Sequence, residues 1–242
     1  MPSKLSGPTT LFAQDLFVSQ AGKVHELGTI GLTSDGRIFR YCLAGGTSLV
    51  AGRLQQAPAE VTNHQNLTPT AAAAIGATEI TVTLGATLAT ANQYAEGLLM
   101  VTTSTGVGYA YRIKSHPAAA SAATLLVTLE DALQVATTTT SRIDLVLNPF
   151  SGVLIGPVTE TSCIVGVAND VIVNAEYGWI QTGGPACVLA DGTVTVGTQL
   201  VAATASVTGA VKPVSTDVVQ HVGRAITGIA DTEYGAVWLN LE

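Results

Sequence analysis

Apolar and polar positions alternate with a period of two through most of this chain, the spacing of strands that bury one face. The pattern is cleanest where Ile80, Val82 and Leu84 are separated by Thr81 and Thr83. Further strands are expected at 97–103, 106–114, 124–129 and 141–147, with one short helical turn between Leu129 and Ala136. The tracts 118–120 and 137–140 read as loops or edge strands. After Asn148-Pro149 the pattern predicts strands at 152–158, 162–168, 170–175, 177–182, 186–190, 193–196, 199–204, 221–227 and 234–241. Residues 175–196 stand at the centre of this region. They read as a strand, a Gly-Gly-Pro break, a second strand, an Asp191-Gly192 hairpin turn and a third strand. Tyr177, Trp179 and Gln181 share one face there. Trp238 is expected to pack within the chain, on Trp179, with a neighbouring subunit as the alternative.

Residues 1–23 are only weakly patterned. Leu11 to Phe17 is compatible with a turn or two of helix or with a strand laid on a partner. The segment is either a frayed terminus or an arm that orders on binding. A second hairpin follows, with Asp35-Gly36 as its turn. Its return strand places Arg37, Phe39, Tyr41 and Leu43 on one face and Ile38, Arg40 and Cys42 on the other. Residues 55–70 hold two prolines and read as a polar linker. Asn66-Leu67-Thr68 matches a glycosylation sequon, but no basic-then-apolar leader opens the chain. The expected architecture is all-β: an N-terminal arm and β-hairpin (1–60), a β-sandwich-like domain (61–148) and a C-terminal β-barrel-like domain (149–242). These comprise one or two antiparallel sandwich or barrel modules.

Composition sharpens the picture. Only 11% of residues are charged, against about 25% in a typical globular chain. Apolar residues make up 47% and aromatics 5%, so the apolar set is mostly Ala, Val, Leu and Ile. A chain this poor in charge is expected to turn much of its surface toward other subunits. Net charge is −7. Residues 1–60 hold five basic and four acidic groups, and 61–242 hold five and thirteen. The body has no basic stripe for nucleic acid, and the N-terminal region is expected to meet a different partner. The uncharged run at 192–211 is rich in Gly and Thr and is not read as a membrane span. Cys42, Cys163 and Cys187 are widely spaced and odd in number, so each is expected to be a small core hydrophobe.

The chain carries no recognisable catalytic apparatus. His25-Glu26 lacks the second histidine of a zinc helix, Gly106-Val-Gly108 leads into a strand, and no nucleophile elbow or phosphate loop occurs. His64 and His116 sit in loops that bear proline, and His221 starts a strand. Glu130-Asp131 is a solvated turn and lacks the oxygen ligands of a calcium loop. No enzyme activity, metal or cofactor is expected.

Several stretches together resemble structural proteins of tailed-bacteriophage virions, most nearly the capsid decoration, or cement, proteins. They are Leu27 through Tyr41, the Ala/Gly/Thr block near 71–90, Gly108-Tyr-Ala-Tyr-Arg-Ile113, Asp144-Leu-Val-Leu-Asn-Pro149, Tyr177-Gly-Trp-Ile-Gln181 and Val222-Gly-Arg-Ala225 before Tyr234. The resemblance implies a β-rich protein on the outer face of a capsid, bound to the major capsid protein lattice, often as a homotrimer. It implies a place on the virion, assembled in the host cytoplasm, with no nucleic-acid or membrane partner. Capsid contact is then expected from Leu11, Phe12, Phe17, Arg37, Phe39, Arg40 and Tyr41. Tyr177, Trp179 and Trp238 are expected as subunit-interface or core aromatics. The alternatives are a head fibre or tail-surface adhesin contacting host glycans, and a hydrolase with an unrecognised site. Scarce aromatics and the lack of repeats weigh against the adhesin.

Overall fold

The computed structural model describes residues 7–156, 161–203, 207–215 and 220–242. The ends of the expected strands 152–158 and 199–204, and the first six residues of the arm, lie outside the described residues. In chain order come β1 (Thr9–Thr10), a short helix α1 (Ala13–Leu16), β2 (Ile30–Leu32), β3 (Ile38–Ala44) and β4 (Leu54–Gln56). Then follow β5 (Thr68–Pro69), β6 (Glu79–Thr83), β7 (Leu98–Thr103), β8 (Ala110–Ser115), β9 (Thr124–Leu129) and β10 (Arg142–Val146). The last group is β11 (Ser151–Ile155), β12 (Ile164–Ala168), β13 (Tyr177–Leu189), β14 (Gln199–Ala202), β15 (Val211–Pro213), β16 (His221–Ala225) and β17 (Tyr234–Asn240). Contacts divide the chain into two compact units, one spanning 60–148 and the other uniting the preceding segment with 149–242. The outer segments, read separately from the sequence, therefore share one sheet.

The 60–148 unit is an antiparallel sheet in the order β10-β7-β8-β9-β6-β5. Leu67 and Ile143 exchange backbone hydrogen bonds of 2.8 and 3.0 Å and so join its two ends. The alternation seen in the sequence sets its core: Ile80, Val82, Leu99, Val101, Ile113, Leu125, Val127, Ile143 and Leu145 all point inward. The helical turn expected after Leu129 does not form. Leu133 is buried, and its backbone instead bonds Gly76 and Ala77 at 2.9 and 2.8 Å, which an isolated turn of helix would forgo. β8 begins later than expected because Gly106 and Gly108 take positive φ and turn the chain.

In the larger unit the order is β1-β2-β3-β11-β4-β12-β13-β17-β16-β14-β15, and β3 also pairs with β13. That extra pairing closes β3, β11, β4, β12 and β13 into a barrel. β11 runs parallel to β3 and antiparallel to β4. Cys42, Leu49, Val153, Val165, Ile172 and Ile180 fill one cluster. A Cβ at Gly178 would lie 2.7 Å from the Ile172 side chain, so the close packing there requires glycine. The outer strands bury a second cluster that includes Val188, Val194, Leu200, Val222, Val237 and Leu239.

Several local expectations are corrected. Gly183-Gly184-Pro185 does not break the strand; β13 runs through it for 13 residues. A register shift and a φ of +82° at Gly184 bend the chain where its partner changes from β3 to β17. Asp191-Gly192 makes a turn but no tight hairpin, because Val194 pairs with Ile229 and the Gly192 N–H donates to Asp231 Oδ1 at 2.7 Å. Residues 170–175 contribute only the Ile172–Leu49 bridge. The supposed linker begins inside β4, where Gln55 and Gln56 are fully buried.

Candidate docking surface

The segment read as an arm is clipped onto the larger unit. β1 adds in parallel to β2, and the Leu11 N–H donates to Leu32 O at 2.8 Å. Gln20 and Tyr177 exchange backbone hydrogen bonds of 2.9 and 2.8 Å. Leu11 and Leu16 are buried with Phe39, Tyr41 and Trp179 in one cluster. Gly31 makes this possible, since a Cβ there would lie 2.3 Å from Leu11 and 2.8 Å from Trp179. The two leucines anchor α1, and their neighbours point the other way: Phe12 is 62% exposed and Phe17 56%. Val18 and Val24 are exposed nearby in sequence.

The residues expected at a contact thus separate into three groups. Leu11, Phe39 and Tyr41 are core, so they offer no surface to a partner. Phe12 and Phe17 are presented to solvent. Arg37 and Arg40 are partly exposed but already engaged. Arg40 Nε and Nη2 donate to Glu242 at 2.7 and 2.9 Å, Nη1 donates to Gly28 O at 2.7 Å, and the guanidinium lies over Phe150. Burial pushes the Glu242 carboxyl up, yet hydrogen bonds from Arg40 and Thr182 and the charge of Arg40 bring it below the usual value. Arg37 pairs with Asp35 at 2.8 Å and lies over Phe39. The Thr33 hydroxyl, then Arg37, hold the Asp35 carboxyl below its ordinary range.

Tyr177 and Trp179 join the cluster under the clip. Tyr177 stacks on Tyr41 at 5.8 Å, and Trp179 meets Tyr41 edge-on at 5.1 Å. His25 packs against both Tyr41 and Trp179. Trp238 departs from expectation: it is 56% exposed and stands away from Trp179 because its neighbours Val237 and Leu239 take the inward face. A cleft of about 460 Å³ lies between Phe17 and Tyr234, with Arg37, Gln181 and Cys187 on its walls. The buried Gln181 donates from Nε2 to Gly183 O and Pro185 O, and its Oε1 has no partner.

In the smaller unit His64 and His116, readable from the sequence only as loop residues, come together with Tyr94 in a buried polar cluster. Tyr94 lies buried between His64 and His116. His64 Nδ1 pairs with the Tyr94 hydroxyl, and Nε2 faces Thr87 O at 3.0 Å. His116 Nε2 accepts from the Tyr94 N–H at 3.0 Å, and Nδ1 faces Pro117 O at 2.8 Å. A carbonyl needs a donor and an N–H needs an acceptor, so His116 is neutral and protonated at Nδ1. Burial lowers its pKa, and His64 lowers it further against the Pro117 bond. Only a periodic spacing could have flagged this trio, and positions 64, 94 and 116 have none. Cys42 is buried as expected, but Cys163 and Cys187 are exposed. Among the described residues no group of three His, Cys, Asp or Glu is placed to hold a metal ion. No described helix is long and apolar enough to cross a membrane. Comparison with family models, with curated proteins and with solved structures found no match.

Proposed function

We propose that this protein is a non-enzymatic structural module that docks on an assembled phage capsid as a decoration protein. One observation carries the reading. Leu11 and Leu16 fix a short clip while Phe12 and Phe17 stand out from it. Two aromatic rings fixed in water by a buried anchor gain free energy when a partner covers them, and aromatic anchors dominate interface energetics. A module that binds the assembled lattice but not its free subunits stabilises the lattice by mass action. The partner is the major capsid protein, and the module acts as a homotrimer on the outer shell. The test is co-sedimentation with undecorated heads. Saturable binding to shells is expected, together with a higher temperature of shell disruption. Absence of binding to shells, with turnover of ester or glycan substrates, would refute the proposal.

A further inference from the structure

A second surface of the larger unit lies apart from the clip residues Phe12 and Phe17. Strand register sets Gln199, Arg224 and Trp238 side by side across β14, β16 and β17. Together with His221, Gly223 and Asn240 they line a groove of about 390 Å³, the size of a small-ligand site. Among the described residues, no hydrogen bond or ion pair involves the side chain of Gln199, His221, Arg224 or Asn240. Every other arginine has one: Arg37, Arg40 and Arg112 pair with carboxylates, and Arg53 and Arg142 donate to carbonyls. Among the described residues, no carboxylate lines the groove.

We propose that this groove is a saccharide-binding site that takes a carboxylate-bearing pyranose. The C–H face of a pyranose is apolar and matches an exposed indole. Its ring hydroxyls both donate and accept, as the Gln199 and Asn240 amides do. The planar guanidinium of Arg224 matches the sugar carboxylate in a paired hydrogen bond. Gly223 lets β16 and β17 approach closely beneath Arg224 and Trp238, since a Cβ there would lie 2.0 Å from the Trp238 carbonyl oxygen. A nucleic-acid strand is disfavoured because the described lining offers one arginine and no row of lysines or arginines for repeated phosphates.

Tryptophan emission tests the proposal, because Trp179 is 4% exposed and Trp238 56%. The probes are a galacturonate oligosaccharide, its methyl ester, sialyllactose and lactose. Saturable quenching is expected from the acidic probes, with weaker binding of the ester and of lactose. Arg224→Gln removes the preference for acid over ester. Trp238→Leu removes the reporter and is titrated by calorimetry; it binds about tenfold or more weakly, while the emission of Trp179 reports that the fold persists. Failure of every probe to bind overturns the proposal. So does a Trp238 signal that depends only on protein concentration, which would make the groove an interface between copies. Either failure leaves the Phe12 and Phe17 surface untouched.

Discussion

His116 illustrates how one side chain ties stability to pH. Its ring must stay neutral in the fold, so its folded pKa lies below the unfolded value of about 6.5. Above that value neither state is protonated and the contribution is fully present. As pH falls from there through the folded pKa, the unfolded chain takes up a proton that the folded one refuses, and stability is lost. The slope of stability against pH between about 7 and 5 is therefore expected to flatten in a His116→Asn variant, which is also less stable at neutral pH by about 1–3 kcal/mol. Urea unfolding across that range measures both; an unchanged slope would count against the assignment. Arg40 offers a second case. Its side chain and that of Glu242 are 25% and 29% exposed, so solvent screens the pair. Arg40→Met is expected to cost about 1–2 kcal/mol, and less at high salt, because it also orphans the Gly28 carbonyl contact.

At the scale of elements, the clip depends on an absent methyl group. Gly31→Ala would drive a Cβ into Leu11 and Trp179, so the clip is expected to lift from β2 while the barrel remains. Hydrogen exchange of the Leu11 amide, which now donates to Leu32, reads this directly. Protection unchanged from the parent would show the clip is held otherwise. Leu16→Ala is expected to cost about 2–5 kcal/mol, whereas serine at Phe12 or Phe17 is close to neutral for folding. Deleting the whole segment is a poor probe, since it would uncover Phe39, Tyr41 and Trp179. The strands of the smaller unit were legible because Thr and aliphatic residues alternate on a sheet with one wet face. Less legible was β13, where a glycine pair bends a strand that proline and glycine usually end. Gln55, Gln56 and His64 looked like linker residues because polarity alone cannot show burial: Gln56 and His64 find partners in the fold, while Gln55 donates to Arg53 O and leaves its Oε1 without one. Phe12 and Phe17 were readable as contact candidates; that Leu11 is their anchor was not, because its seat on Gly31 is a tertiary contact.

For the whole molecule, the all-β character was readable, but the way the chain returns on itself was not. β3 meets β13 with most of the sequence between them, and no periodicity encodes that pairing. The low charge content belongs to this scale as well. It predicts self-association, and light scattering is expected to give the mass of three chains; a monomer at micromolar concentration would weigh against the trimer. The rings displayed by the clip are proposed to dock the protein on an assembled shell. The most direct measurement is a binding isotherm on intact shells and on dissociated capsid subunits, for the parent and for a Phe12→Ser/Phe17→Ser variant with unchanged unfolding. The parent is predicted to saturate shells only, and the variant to bind them at least about a hundredfold more weakly, as the loss of two aromatic anchors implies. Equal binding by parent and variant, or equal affinity for shells and free subunits, would contradict it.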